Sequence, residues 1–241
     1  MYPKGDCVPG FIYPEAHICA QTNNTQRADM VVFGDSHAFS AYWGISRFFG
    51  ELGHNVRLIG KGSGCLPFIN QTNLDCKDLI NSQIAWINET SDIKTIFIIF
   101  RNPISNYTSK HEILNFEIML RNTFDVFLRN KKRIVYLFSV PEARINPRLC
   151  IGDLPFSRRF NNKCEFLVSR EYGLQKRYRL VLSRVLKDYP SVRSFNPGDV
   201  ICPSGVCAIN RGQNVMWTDN NHLSESASYI QGEALFKDIK I

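Results

Sequence analysis

The stretch Asp29-Met30-Val31-Val32-Phe33-Gly34-Asp35-Ser36-His37 predicts a strand that ends at a glycine and delivers a serine to the start of a helix. The apolar, β-branched run breaks at the glycine, and a helical pattern follows over 38–49. A serine raised off a sheet edge, beside the unpaired N–H groups of a helix, is well placed to act as a nucleophile. The alternative is an ordinary strand–turn–helix connection in which the aspartate or the serine is only an N-cap. This stretch alone does not distinguish the two.

Alternating strand and helix patterns continue along the chain and predict an α/β fold. Further strand patterns cover about 55–59, 94–101, 133–139 and 192–195, and further helical patterns cover about 76–88, 110–129, 167–187 and 224–236. We expect a three-layer α/β/α sandwich around a central, mostly parallel sheet. Residues 1–28 are expected to form an N-terminal arm or linker packed on the domain. Residues 29–241 are expected to form the domain that carries the site, with 141–165 as an irregular, disulfide-bearing insertion.

Composition places the chain among globular proteins. It has 241 residues, of which 44% are hydrophobic and 21% charged, and this fits one domain with one sizeable core. No apolar run reaches the roughly 18–20 residues that span a bilayer. The net charge of +7 is spread along the chain, with clusters at 129–133 and 144–159 that are not interleaved with aromatic residues. We therefore expect no nucleic-acid partner, and a surface suited to solvent, anionic glycans or lipid headgroups.

The eight cysteines fall into four couples that are close in sequence. None has the Cys-x-x-Cys spacing of a zinc ribbon or a thioredoxin-type site, so we expect no metal. Sequence does not fix connectivity, but the couples favour disulfides and an oxidising compartment over free buried thiols. Since the first residues lack the apolar segment of a signal peptide, we expect a piece of a longer exported or membrane-anchored protein. The expected pairs are Cys7–Cys19, Cys65–Cys76, Cys150–Cys164 and Cys202–Cys207.

Three polar or glycine-rich segments follow three different predicted strands. Ser36 follows the first strand, the loop 60–64 (Gly-Lys-Gly-Ser-Gly) follows the second, and Asn102 follows the third. The carboxyl ends of parallel strands meet at one edge of a sheet, where ligands of such folds bind. We therefore expect these segments to converge on one site.

A serine nucleophile needs a base, and His222 is the best candidate of the five histidines. It lies in Trp217-Thr218-Asp219-Asn220-Asn221-His222-Leu223-Ser224, just before the last predicted helix. In a turn of this length the Asp219 carboxylate can fold back onto the imidazole, fix its tautomer and stabilise the imidazolium. A purely structural Asx-turn is the alternative.

Together, these motifs resemble the SGNH (GDSL-like) hydrolase superfamily over about residues 29–236. Three motifs are most similar to those of the SGNH domain fused behind membrane-bound acyltransferase-3 proteins. They are the N-terminal motif Gly34-Asp35-Ser36-His37, the loop Gly64-Cys65-Leu66-Pro67 and the C-terminal motif Trp217–Ser224. The resemblance implies the flavodoxin-like SGNH hydrolase fold. It also implies an N-terminal membrane acyltransferase-3 domain in the full-length protein, and hence a periplasmic or other extracytoplasmic location.

The resemblance also implies roles for individual residues. Ser36 is expected to be the nucleophile, His222 the general base and acid, and Asp219 the carboxylate that orients it. The oxyanion hole would combine the Ser36 N–H, a loop N–H from Gly64 (or Gly62 as the alternative) and the Asn102 side chain. The superfamily usually shows Gly-x-Asn-Asp around this asparagine, whereas this chain reads Phe100-Arg101-Asn102-Pro103. The alternative role for Asn102 is to end the strand before proline.

The expected function is that of a serine-dependent O-acetyltransferase that modifies a cell-surface polysaccharide such as lipopolysaccharide O-antigen. The acyl-serine route requires no metal or other cofactor, and the acetyl group would come from the membrane domain. A carbohydrate esterase with the same three residues is the first alternative. A non-catalytic glycan-binding module is the second. Sequence leaves open the acceptor sugar, the oligomeric state and whether 141–165 covers the site as a lid.

Overall fold

The computed structural model describes residues 18–62, 65–71, 73–104, 107, 109–150 and 164–239. The strands are β1 (Ile18–Gln21), β2 (Met30–Gly34), β3 (Val56–Gly60), β4 (Thr95–Ile99), β5 (Arg133–Leu137), β6 (Glu165–Leu167), β7 (Arg193–Phe195), β8 (Val206–Ala208), β9 (Asn210–Arg211) and β10 (Asn214–Val215). The helices are α1 (Ser36–Gly50), α2 (Leu74–Glu89), α3 (Lys110–Arg129), α4 (Val168–Leu174), α5 (Lys176–Asp188), α6 (Gly198–Ile201) and α7 (Glu225–Asp238). Within the described ranges, no helix is long and apolar enough to cross a membrane.

The central sheet has the strand order β1-β3-β2-β4-β5-β7. Adjacent strands in this sheet run parallel to each other, except that β1 pairs antiparallel with β3. The five parallel strands lie in the order β3-β2-β4-β5-β7. Numbered along the chain from β2, this is the flavodoxin-like order 2-1-3-4-5, in which the direction of strand addition reverses beside the first parallel strand. The predicted α/β/α sandwich with a mostly parallel sheet is therefore confirmed, and its ligand-binding crevice is expected beyond the carboxyl ends of β2 and β4.

The structure departs from the sequence prediction at two boundaries. Residues 18–21 were assigned to the arm, but they form an edge strand, which at four residues is too short to show a period. The helix expected over 167–187 is divided at Gln175 into α4 and α5, because Gln175 leaves helical geometry at ψ 5°. Of the predicted irregular insertion, residues 147–149 form a 3₁₀ turn and 151–163 lie outside the described residues.

Helices cover both faces of the sheet because its central strands are apolar on both sides. In β2, Val31 and Phe33 pack into the cluster beneath α2, α3 and α5, whereas Met30 and Val32 pack into the cluster beneath α1 and α7. A third, smaller cluster around Trp217 supports the chain from β8 to the start of α7. Each layer excludes water from one side of the sheet, so the strand ends are held at fixed positions.

Three of the predicted disulfides lie within the described residues. They join Cys65 to Cys76, Cys150 to Cys164 and Cys202 to Cys207. Cys19 is also disulfide-bonded, and its predicted partner Cys7 lies outside the described residues. The first bridge ties the loop after β3 to the start of α2. The last bridge closes a turn in the cluster that supports the His222 segment.

Two glycines bring α1 and α7 into backbone contact. A Cβ atom on Gly44 would lie 1.8 Å from the Ser228 carbonyl oxygen, and one on Gly232 would lie 2.4 Å from the Gly44 carbonyl carbon. The Gly44 N–H also donates to the Ser228 Oγ at 2.9 Å. Because α1 begins at Ser36 and α7 begins three residues after His222, this crossing fixes the distance between the two chain segments that carry them.

We expect Gly44→Ala to lower the free energy of unfolding by about 3 kcal/mol or more. The new Cβ atom would clash with the backbone of α7, which cannot move aside as a flexible side chain can. Gly173→Ala is the matched control, because a Cβ there meets nothing within 4 Å and alanine favours an exposed helix. Urea unfolding followed by circular dichroism measures both variants. Equal stability of the two variants would contradict the close-contact account.

Candidate active site

Ser36, His222 and Asp219 form a continuous chain of contacts at the carboxyl edge of the sheet. The Ser36 Oγ lies 2.7 Å from the His222 Nε2, although 186 residues separate them. The His222 Nδ1 lies 2.7 Å from the Asp219 Oδ2. The structure therefore brings together the three residues that the sequence analysis singled out, in the order serine, imidazole, carboxylate.

The turn before α7 holds the carboxylate and the imidazole in register. The Asp219 Oδ1 accepts the backbone N–H groups of Asn221 (2.9 Å) and His222 (2.8 Å), which leaves Oδ2 for the ring. The Asx-turn that was the alternative interpretation thus coexists with the ring contact. Burial raises the pKa of Asp219, but the hydrogen bonds from Asn221 and His222 lower it further, so the net pKa lies below its ordinary value. The carboxylate is charged where it meets the ring.

Two contacts anchor this turn to the segment after β5. The Trp217 indole N–H donates to the Pro141 carbonyl at 3.0 Å, and the buried ring packs in the third cluster. The Arg144 N–H donates to the Asn220 carbonyl at 2.8 Å. Trp217 is consequently a supporting residue of the turn and not a surface for a sugar ring.

Asp35 connects the start of α1 to the end of β4. Its Oδ1 accepts the His37 N–H at 2.8 Å as the N-cap of α1, and its Oδ2 accepts the Arg101 N–H at 2.9 Å. Gly34 permits this arrangement, since a Cβ there would lie 1.6 Å from the Ile99 carbonyl oxygen. The N-cap is predicted from the sequence, but the bond from the Arg101 N–H to Asp35 is not, because it depends on strand pairing.

His37 is buried against His222. Its ring is 4.8 Å from the His222 ring, centroid to centroid, and its Nε2 has no hydrogen-bond partner among the described residues. Burial lowers the pKa of His37, the charges of His222 and Arg101 lower it as well, and Asp35 and Glu142 oppose them. The ring is therefore neutral beside His222, where a second cation would oppose formation of an imidazolium. This contact between His37 and His222 was not predicted, because the position of His37 one residue after the serine does not indicate which residue its side chain meets.

An ion-pair network borders the site on the β4–β5 side. The Arg101 guanidinium donates to both oxygens of the buried Glu142 at 2.8 Å, and the Arg144 Nε donates to the buried Glu171 at 2.7 Å. Burial raises the pKa of Glu142, but the hydrogen bonds from Arg101 and the charges of Arg101 and Arg144 lower it further, to below its ordinary value. Arg101 is thus paired with a carboxylate of the protein itself.

The expected oxyanion donors are placed only in part. Ser36 is the first residue of α1, so its N–H has no intrahelical acceptor. Gly64 lies outside the described residues, and the alternative Gly62 is in the loop after β3. The Asn102 Oδ1 accepts the Ile104 N–H at 3.0 Å, in a turn that ends the strand. The Asn102 side chain is buried, next to the residue that binds Asp35.

A cavity of about 400 Å³ adjoins Asp219. It is lined by Arg144, Ile145, Asn146, Arg148, Thr218, Asp219 and Asn220. Its walls are mostly polar, and its volume falls within the range of small-molecule sites. Within the described ranges, no cluster of three or more His, Cys, Asp and Glu residues could hold a metal ion. The arrangement supplies an alcohol, a base and an orienting carboxylate, which are the groups that acyl transfer to and from a serine requires.

A family model described as an SGNH domain fused to AT3 domains matches residues 6–236 of the chain. No curated protein matches. Among solved structures, the periplasmic domain of a lipopolysaccharide acetyltransferase from Salmonella ser. Paratyphi A superposes with a TM-score of 0.66 at 13% identity, covering 88% of this chain and 84% of that one.

Two esterases also share the fold. Est24, a carbohydrate acetylesterase from Sinorhizobium meliloti, has a TM-score of 0.55 at 12% identity, and an aryl esterase from M. smegmatis has 0.52 at 14%. Each alignment covers 88% of this chain and 98% of the other. At such identities the likeness concerns the fold alone.

We expect Glu142→Gln to lower the free energy of unfolding by about 1–3 kcal/mol near pH 7, since it removes charge-assisted bonds to a half-exposed arginine. Because the folded-state pKa of Glu142 is lowered, its stabilisation is present above the ordinary carboxyl pKa and is lost as the pH falls through the folded value. Urea titrations across pH 3–7 (about the carboxyl range and above it) measure this difference. A difference that persists undiminished in acid would contradict the assignment.

We expect His37→Phe to keep most of the turnover of an activated acetyl ester, because a neutral ring still packs against His222. His37→Ala leaves a gap beside His222, and we expect kcat to fall by about tenfold to a hundredfold as the imidazole loses its position. Steady-state kinetics with melting temperatures as the stability control distinguish the cases. Wild-type kcat in the alanine variant would show that the ring contact does not position the base.

Proposed function

The chain belongs to the family of SGNH domains fused to AT3 domains, and we propose that it is a serine-dependent O-acyltransferase domain which moves an acetyl group to a hydroxyl of a cell-surface polysaccharide. The observation that carries this proposal is the contact chain from the Ser36 Oγ through His222 to Asp219, at 2.7 Å for each step. The fold and the family support an enzyme of the acyl-transfer or esterase kind.

In the first half-reaction the Ser36 Oγ attacks the carbonyl carbon of the acetyl donor while the His222 Nε2 takes its proton. The tetrahedral intermediate collapses as the donor's leaving group departs with that proton, and acetyl-Ser36 remains. In the second half-reaction His222 removes the proton of an acceptor hydroxyl, whose oxygen attacks the acetyl carbon. The proton then returns to Ser36 as the acetylated glycan leaves.

Charge builds up on two groups during each step. Asp219, ionised and hydrogen-bonded, stabilises the imidazolium, and the neutral His37 adds no opposing charge. The negative oxygen of the intermediate would meet the Ser36 N–H, and we assign further donors to Gly64 and Asn102 as the family pattern suggests. Losing one such donor typically costs about 10²–10³ in rate.

The partners of this reaction follow from the family. An AT3 domain preceding this one in a longer chain would deliver the acetyl group, and the acceptor would be a surface polysaccharide in the periplasm or another extracytoplasmic space. The cavity beside Asp219 offers room for one sugar unit of that acceptor. The acyl-serine route needs neither metal nor organic cofactor.

A carbohydrate esterase is the second candidate, because the site is open to water. The side chains of His222 and Asp219 remain 26% and 50% exposed, so water can reach the base as readily as a sugar hydroxyl can. The third candidate, a glycan-binding module without activity, does not account for the hydrogen-bonded serine, imidazole and carboxylate.

We expect Ser36→Ala to reduce turnover of an activated acetyl ester by at least about a thousandfold, because the nucleophile is removed. Ser46→Ala is the matched control, since its hydroxyl bonds to the Trp43 carbonyl in the same helix and not to His222 or Asp219. Circular dichroism verifies that both variants fold. Residual wild-type activity in Ser36→Ala would exclude the serine mechanism.

Transfer and hydrolysis are separated by the fate of the acetyl group. With an acetyl ester as donor and oligosaccharides of a surface polysaccharide as acceptor, we expect the wild-type protein to yield acetylated glycan, detected by mass spectrometry. Water and the acceptor hydroxyl compete for acetyl-Ser36 in the second half-reaction, so esterase activity would appear as free acetate with unmodified glycan. That result would replace the transferase assignment by the esterase.

A further inference from the structure

The outer side of α5 combines basic side chains with an exposed leucine. Its buried side, Tyr178, Val181, Leu182 and Val185, packs into the cluster beneath the sheet. The opposite side, here named the basic face, consists of Lys176, Arg177, Leu180, Arg184 and Lys187, all exposed. At about 100° per residue these five positions lie within one third of the helix circumference, with Leu180 between the basic residues.

The basic face carries charge that the described protein does not neutralise. Arg184 bonds to Glu117 on α3. Lys176, Arg177 and Lys187 form no ion pair within the part of the chain that the structure describes. The acidic residue of α4, Glu171, is buried and bonded to Arg144, and Asp188 at the end of α5 is paired with Arg121. Three of the four basic side chains on this face are therefore not neutralised by an ion pair among the described residues.

Apolar surface accompanies this charge. Leu180 is 60% exposed, Leu174 at the end of α4 is 52% exposed, and Leu167 at the end of β6 is 59% exposed. The Gln175 N–H donates to the Glu171 carbonyl at the end of α4, and the Arg179 N–H donates to the Gln175 carbonyl at the start of α5. Leu174, the last residue of α4, therefore lies two residues before Lys176, the first residue of the basic face.

We infer that the basic face and the adjoining Leu174 of α4 bind the headgroup region of an anionic lipid bilayer. Cationic side chains around exposed leucines are the composition of peripheral membrane-binding helices, in which charge attracts anionic headgroups and apolar side chains enter the interface. An anionic polysaccharide would use the charges but not the leucines, so the leucines favour the bilayer. This inference goes beyond the proposed acyl transfer, although a domain linked to a membrane acyltransferase would work beside such a surface.

The test is sedimentation of the 241-residue chain with vesicles of phosphatidylcholine, with and without about one third phosphatidylglycerol. We expect binding only to the anionic vesicles, weakened as the ionic strength approaches 1 M, where the Debye length falls to about 3 Å. Each basic side chain near an anionic surface contributes roughly a fivefold factor. We therefore expect Lys176→Glu, Arg177→Glu and Lys187→Glu together to weaken binding by roughly a hundredfold or more.

The matched control reverses the charge of three exposed basic residues outside the basic face, Lys110→Glu, Arg129→Glu and Arg133→Glu. It changes the net charge by the same amount. We expect it to keep most of the binding, and Leu180→Ser to weaken binding without a change of charge. Equal losses in both triple variants, or no binding to anionic vesicles, would overturn the inference. Binding to dextran sulfate but not to vesicles would assign the face to a polyanion and also overturn it.

Folding and function are monitored apart from binding. All these variants should keep the wild-type melting temperature and turnover of an activated acetyl ester, since none of the residues touches Ser36, His222 or Asp219. The Ser36→Ala variant should sediment with anionic vesicles as the wild-type chain does. Loss of vesicle binding in Ser36→Ala would contradict the separation of the two surfaces, whereas loss of ester turnover alone would leave the membrane inference standing.

Discussion

The backbone contact between α1 and α7 at Gly44 and Gly232 is the constraint on which the site depends. Ser36 opens one helix and His222 precedes the other, so the two functional groups meet only if these helices cross at the observed point. The sheet also fixes the position of Ser36, because the preceding residue, Asp35, accepts the Arg101 N–H at the end of the neighbouring strand. Packing in the core thereby determines a 2.7 Å contact between residues 186 positions apart.

Charged groups around the contact chain have separate functions. Asp219 is ionised by its hydrogen bonds and faces the base, while Glu142 is ionised by its arginines and ties the end of β4 to the segment after β5. His37 is kept neutral by burial and fills the space beside the His222 ring. The Asp219 carboxylate thus assists the base, whereas the Glu142 carboxylate holds the end of β4 against the segment after β5. This division explains why a buried, paired Glu142 can lie near the site without competing for the imidazole.

Sequence patterns were sufficient for the parallel sheet, its covering helices, the three described disulfides and the grouping of Ser36 with Asp219 and His222. The sheet, the helices and the disulfides rest on local periodicity or on short spacings, whereas the grouping of Ser36 with Asp219 and His222 rests on the resemblance to the SGNH superfamily. The remainder depends on long-range geometry: β1 is too short to show a period, and the bond between Arg101 and Glu142 joins positions 41 residues apart. The contact of His37 with His222 was missed for the same reason, since residues adjacent in a helix point in different directions and only the fold decides which neighbour each one meets.

The central claim is that Ser36 carries the acyl group between donor and acceptor. Rapid quenching of the wild-type chain with an activated acetyl ester, followed by peptide mass spectrometry, tests it most directly. The account predicts the mass of one acetyl group on the peptide that contains Ser36, and its disappearance when an acceptor glycan is added. Turnover without any acylated peptide, or an acetyl group on a different residue, would contradict the account.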